Sequence, residues 1–191
     1  MSKDQPDRLA IDGEGIRVGI IAARFNFQLV NALLESVIGS LSACGVKDED
    51  VETFRVSGSN EIPHVAALLA KTGDFDVIIG LGLIIKGDTD HAAIIGHGTE
   101  LALQTVGLEF EVPVINGIIT VNTVQQAEDR ITGEMQRGAE FAHAALEMAQ
   151  LNQTLVERVM KNDMDAAIDD LDMLDDDEFW EDLDEDEDDL K

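Results

Sequence analysis

The stretch Lys86-Gly87-Asp88-Thr89-Asp90-His91 is where residue types and spacing come nearest to chemistry. A glycine turn that feeds a helix start leaves backbone N–H groups free for an anion, and the helix dipole favours negative charge there. Gly87 and Thr89 are therefore candidate phosphate contacts. A turn glycine and a capping threonine explain the same two residues, and Asp88 disfavours an anion. His91 stands at the mouth of the helix, where an imidazole can move protons near neutral pH, although taken alone a histidine there is more often a surface or capping residue than a catalyst. His64, His97 and His143 have less local support, and no set of His, Cys and acids has structural zinc spacing, so no metal is expected.

Two familiar chemistries lack their motifs. The first apolar run leads into Ala22-Ala23-Arg24-Phe25-Asn26 without the G-x-G-x-x-G of dinucleotide binding. No G-x-S-x-G elbow surrounds Ser57 or Ser59, and Cys44 reads as a small core residue on an apolar helix.

The elements that must position these residues alternate between two periods. Ile16–Ala22 is a short β-rich run, followed by Leu29, Leu33, Val37 and Leu41 at helical spacing up to Cys44. Val51–Val56 is the second strand, and Gly58-Ser59-Asn60 turns the chain into a short helix over Ile62–Ala70. Asp76–Ile85 reads as a buried strand whose Gly80 and Gly82 serve close packing, and His91–Val106 as a helix capped by Thr89. Pro113–Thr120 is the last strand, and Val124–Leu151 a helical region interrupted near Gly133 and Gly138. Four strands alternating with helices predict an α/β, flavodoxin-like three-layer sandwich around a four-stranded parallel sheet. Ligands of such sheets sit beyond the carboxyl ends of the strands, so the loops at 23–28, 57–63, 86–91 and 116–123 should converge.

Of the 191 residues, 40 are Asp or Glu against 13 Lys or Arg, a net charge of -27. Residues 161–191 hold 17 acidic and two basic side chains, so -15 of that charge lies in a tail. A surface this negative repels phosphate backbones and anionic lipid, which argues against nucleic acid and membrane as partners and leaves a basic partner for the tail. The longest apolar run, Val77–Ile85, is nine residues with two glycines, well short of the roughly 20 a membrane helix needs. An N-terminus without an apolar signal region and a single cysteine predict a cytoplasmic chain. The expected organisation is an arm over 1–13, one domain over 14–155, and over 156–191 an acidic tail expected to be disordered, since Asp is a poor helix residue and the like charges repel. Asp182, Asp184 and Asp186 alternate like Ca²⁺ ligands but lack the turn glycine of an EF-hand loop.

Four segments in order, Arg24-Phe25-Asn26, Gly58-Ser59-Asn60-Glu61-Ile62-Pro63, Gly82-Leu-Ile-Ile-Lys-Gly-Asp-Thr-Asp-His91 and Gln126-Ala-Glu-Asp-Arg130, resemble the 6,7-dimethyl-8-ribityllumazine synthase family over roughly residues 14–151. The resemblance implies condensation of 5-amino-6-ribitylaminouracil with 3,4-dihydroxy-2-butanone 4-phosphate, releasing phosphate and water without a cofactor. It further implies that Phe25 stacks on the pyrimidine, that Ser59, Asn60 and Glu61 hold the ribityl chain, and that Lys86 and Asn116 also face substrate. By the same resemblance His91 transfers protons, Gly87, Asp88 and Thr89 form the phosphate loop, and Arg130 pairs with the phosphate. Homo-oligomers, pentamers or sixty-subunit shells with sites between neighbours, belong to the same expectation. The chain departs from the family pattern in Ala92-Ala93 after the histidine, in Asn60 and Asn116 where apolar side chains are common, and in Glu134 where the family has a base. These departures leave a second reading open, a catalytically weak relative that binds flavins or lumazines or forms a shell.

Overall fold

A computed structural model of the chain describes residues 11–172, with side chains to 168. It contains strands β1 (Val18–Ala23), β2 (Val51–Val56), β3 (Val77–Ile85) and β4 (Val114–Val121), and helices α1 (Phe27–Ala43), α2 (Ile62–Thr72), α3 (His91–Phe110), α4 (Val124–Ile131) and α5 (Arg137–Asp172). The strands form one parallel sheet in the order β2-β1-β3-β4. This is the expected α/β three-layer arrangement.

The strand sequences dictate two faces, because side chains alternate across a sheet. Val18, Ile20, Ala22, Val77, Ile79, Leu81 and Leu83 join one core with Val30, Leu33, Val37 and Leu41 of α1, Ala127 and Ile131 of α4, and Phe141, Ala142, Ala145 and Leu146 of α5. Ile21, Ala23 and Ile78 join the opposite core with Ile62, Ala66 and Leu69 of α2 and Leu103 and Val106 of α3. Each fully buried aliphatic side chain contributes about 1.5–3 kcal/mol by leaving water. Both faces of the inner strands β1 and β3 are thereby sealed, as a parallel sheet requires.

Glycines on the second face set how closely its helices approach. A Cβ on Gly80 would meet Ile62 Cγ2 at 2.7 Å, and one on Gly19 would meet the ring of Phe75 at 3.2 Å. Phe75 in turn packs edge-on against Phe54, with ring centroids 6.2 Å apart. The expected close-packing role of the glycines in β3 is met.

Helix boundaries refine the sequence reading where local chemistry intervenes. Thr89 does not occupy the cap of α3: Asp90 does, without a side-chain bond, and the Thr89 hydroxyl instead accepts the His91 N–H at 3.4 Å. Cys44 lies just past α1 rather than on it, half-buried, its Sγ 3.9 Å from Nε2 of His143. The last helical region is two helices. Thr123 caps α4 by accepting the Gln126 N–H at 3.2 Å, and the N–H groups of Thr132 and Gly133 both close on Glu128 O. Gly138 does not interrupt α5; it sits in its first turn, where the absence of a side chain lets α5 lie against Ser36 and Leu33 O of α1.

The chain divides into two compact units after Asn152. In the second, α5 continues to Asp172, beyond the expected stop at Leu151 and through residues 156–172 of the tail expected to be disordered, and Leu155, Val159, Met160, Met164 and Ile168 are exposed on it. The rest of the acidic tail and residues 1–10 of the expected arm lie outside the described residues. Among the described residues no helix is long and apolar enough to cross a membrane.

One substitution type should have opposite signs at two sites. Gly117→Ala would bring a Cβ to 2.8 Å from Gly80 O and 2.6 Å from Leu81 Cδ2, and overpacking of this kind costs about 1–3 kcal/mol. Gly39→Ala, inside α1 with nothing within 4 Å, should instead stabilise by about 0.5–1 kcal/mol. Denaturant midpoints moving the same way for both would contradict the packing described.

Candidate active site

From β1 the chain leaves by α1 toward β2 on one face, and from β3 it leaves by α3 toward β4 on the other. The carboxyl ends of β1 and β3 thus form the topological switch point, where an open parallel sheet has room for a ligand. A crevice of about 570 Å³ lies there, lined by Phe25, Asn26, Gly58, Ser59, Asn60, Glu61, Leu83, Ile84, Ile85, His91, Ile94 and Ile95.

Three segments build it. After β1 the backbone N–H groups of Arg24 and Phe25 donate to Val56 O at 2.9 Å and Ser57 O at 3.1 Å, so the loop continues the ladder with β2. Phe25 then projects at the crevice mouth with 71% of its surface exposed. From β2 the chain enters a 3-10 turn, Ser59–Glu61. Oε2 of Glu61 accepts from Gly58 N at 2.8 Å and from Ser57 Oγ at 2.9 Å, which fixes the turn and leaves the other carboxylate oxygen without a partner among the described residues. Ser59 is buried against β3, since a Cβ on Gly82 would strike its Oγ. The third segment is the end of β3 with the first turns of α3. His91 opens α3, is exposed, and its imidazole makes no hydrogen bond within the described residues.

Of the residues singled out in the sequence, Phe25, Ser59, Asn60, Glu61 and His91 come together in this one crevice. Lys86, Gly87, Asp88 and Thr89 follow β3 as an exposed loop beside it and do not line it. Asn116 is not in a loop after β4 but inside that strand, opposite Gly80. Its Nδ2 donates to Oε2 of Glu100 on α3, while its Oδ1 accepts the Ile118 N–H at 2.9 Å. Arg130 is on α4, which packs on the α1 face, and its Nη1 donates to Gln126 O at 3.1 Å. The loop at 116–123 accordingly contributes nothing to the crevice. Ile94 and Ile95 were missed by motif reading, although helical periodicity from His91 places them one turn on, on the same side.

Chemically the crevice combines an aromatic platform, a hydrogen-bonded turn with a carboxylate, an apolar floor of Leu83, Ile84 and Ile85, and an exposed imidazole. This suits a flat polar heterocycle carrying a hydroxylated chain, with one group at hand for proton transfer. Among the described residues no group of three or more His, Cys, Asp or Glu gathers to hold a metal ion.

The family model described as 6,7-dimethyl-8-ribityllumazine synthase matches residues 15–153. Proteins named 6,7-dimethyl-8-ribityllumazine synthase are similar to the chain. That of Cupriavidus pinatubonensis is 39% identical over 141 residues, covering 74% of this chain and 83% of its own. That of Paraburkholderia phytofirmans is 38% identical over 141 residues, 74% and 82% of the two chains. That of Ralstonia pickettii is 37% identical over 145 residues, 76% and 86%.

The contact between Gly82 and Ser59 is testable by a cycle. Gly82→Ala is expected to destabilise the chain by about 1–3 kcal/mol through overpacking, and Ser59→Gly in the same chain should recover most of that loss. Additive effects in denaturant titrations would mean that the two positions do not meet.

Proposed function

The chain belongs to the 6,7-dimethyl-8-ribityllumazine synthase family, and we propose that the family's condensation takes place in the crevice at the switch point between β1 and β3. The reaction joins 5-amino-6-ribitylaminouracil to 3,4-dihydroxy-2-butanone 4-phosphate, releases phosphate and water, and belongs to riboflavin biosynthesis. One observation carries the assignment of the site: Phe25, the Ser59–Glu61 turn and His91 line the same 570 Å³ crevice.

In this reading Phe25 stacks on the pyrimidine ring, whose edge an exposed ring at the mouth leaves open to the second substrate. Ser59, Asn60 and the unpartnered oxygen of Glu61 hold the ribityl hydroxyls. The turn is already fixed by its own hydrogen bonds, so little ordering remains to be done on binding. His91 moves the protons of imine formation, phosphate elimination and ring closure from the rim of the crevice. Lys86 sits beside it at the end of β3, and Gly87, Asp88 and Thr89 form the loop that receives the phosphate.

Arg130 is the partner of that phosphate and Asn116 a further substrate contact, yet both stand away from the crevice of their own chain. Sites shared between neighbouring copies account for this, with each copy lending Arg130 and Asn116 to the next. Nε and Nη2 of Arg130 are without partners among the described residues and are available to such a neighbour. Ile94, Leu101 and Leu108 are exposed at seven-residue spacing on α3, which gives a copy an apolar stripe to cover. The assembly is therefore a homo-oligomer, either a pentamer or a sixty-subunit shell. A second reading, a catalytically weak lumazine or flavin binder, draws on Asn60, Asn116 and the Ala92-Ala93 pair.

Incubating the purified chain with both substrates should give the fluorescent lumazine; binding of the lumazine without its formation would favour the second reading. His91→Ala should lower single-turnover rates by about 10-fold or more with assembly intact, and an unchanged rate would leave His91 only a helix-start residue. Arg130→Lys should weaken the phosphorylated substrate by about 10-fold, the loss of one charge-assisted hydrogen bond, and spare the ribityl one; equal weakening of both would make it structural. Light scattering that finds a stable, active monomer would rule out sites shared between copies.

A further inference from the structure

We propose that Asn26 is a positioning residue for substrate stacking, holding the Phe25 platform in place through a bond to β3. The inference rests on the reading of Phe25 as the surface on which the pyrimidine stacks. Asn26 is at the N-cap of α1, where an asparagine ordinarily adopts an extended conformation and accepts a hydrogen bond from the helix start. Here it does neither. Its backbone is left-handed, with φ 55° and ψ 40°, and its side chain makes no capping bond. Instead Nδ2 donates to Leu83 O, 57 residues further along the chain, at 2.9 Å.

That bond has a definite place in the sheet. The β1–β3 pairing ends at Ala22 opposite Leu81, and Leu83 lies two residues on, so its carbonyl faces the same neighbouring strand that Leu81 faces. The Asn26 amide takes over the pairing just where the backbone of β1 has turned away. On the other side Arg24 and Phe25 are tied to Val56 and Ser57 of β2 and its loop. Phe25 is thus held between the ends of β2 and β3, and its ring lies against Gly58, where an added Cβ would stand 3.3 Å from Cδ2. Local helix chemistry explains none of this. The left-handed turn and the long-range amide bond together aim one exposed ring over the switch point.

Three substitutions separate the contributions. Asn26→Gly keeps the left-handed turn accessible and removes the amide, Asn26→Asp keeps the size and removes the donor, and Asn26→Ala removes both turn preference and donor. In the full-length protein each should raise KM for 5-amino-6-ribitylaminouracil by about fivefold, the scale of a lost aromatic stack, and leave KM for the phosphorylated substrate within about twofold. The double variant Phe25→Ala/Asn26→Ala should bind no worse than Phe25→Ala alone, because Asn26 acts through the ring. A general loss of stability would not produce that coupling. If Asn26→Ala does not fold, Asn26→Gly and Asn26→Asp carry the same test, with Phe25→Ala/Asn26→Gly as the double variant. Wild-type KM for the uracil in Asn26→Gly and Asn26→Asp, or additive effects with Phe25→Ala, would overturn the proposal while the wild-type enzyme still makes lumazine. A wild-type chain that makes none would overturn the positioning role together with the function on which it rests.

Discussion

The structure depends on β3 being covered on both faces by its own chain. Val77–Ile85 is nine residues long, and eight of them are buried. One face meets α1 and α5, and the other meets the beginning of α2 and the turn that precedes it. A strand sealed in this way cannot carry large side chains throughout, because the helices packed on its two faces leave little volume between the layers. Gly80 and Gly82 relieve the second face, and Ile62 and Ser59 occupy the space where their side chains would stand. The position of the Ser59–Glu61 turn, and with it one wall of the crevice, is consequently a packing result.

The same strand order creates the crevice. Because the chain leaves β1 toward one face and β3 toward the other, the crevice opens between the carboxyl ends of these two neighbouring strands. The loop after β1 is stitched to β2 by backbone bonds and to β3 by the Asn26 side chain, so the exposed Phe25 stands on a rigid base. His91 arrives from a different direction, as the first residue of a helix anchored by Leu103 and Val106 in the core below. The loop after β1 and the Ser59–Glu61 turn are held by their own hydrogen bonds, and such pre-ordering is how a scaffold lowers the entropy cost of bringing two reactants together.

Much of this was legible in the sequence. The alternation of β-rich and helical runs located all four strands to within two residues at either end, because continuous apolar segments such as IIGLGLII fit only a strand buried on both sides. Residue chemistry marked His91 at a helix start, and the family resemblance added Phe25, Ser59, Asn60 and Glu61, which follow strands, where the parallel fold must send its loops. Less legible were the ends of helices. Thr89 looked like the cap of α3, but the backbone places Asp90 there, and Gly138 looked like an interruption when its role is the approach of α5 to α1. A glycine's sequence neighbours do not reveal whether its missing side chain serves a turn or a contact.

Sequence by itself determined the fold class, the family and the residue types available for the reaction, since periodicity, turn residues and ordered motifs are local and survive translation into one dimension. Only the tertiary structure decided which of those residues meet. It put Asn116 within β4 against Glu100 and Arg130 on the α1 side of the sheet, away from the crevice that holds His91. It also tied Asn26, which in sequence is only part of the loop after the first strand, to Leu83, 57 residues distant. Contacts between residues so far apart follow from strand order and from the volume left between packed layers, neither of which any short stretch of the chain encodes.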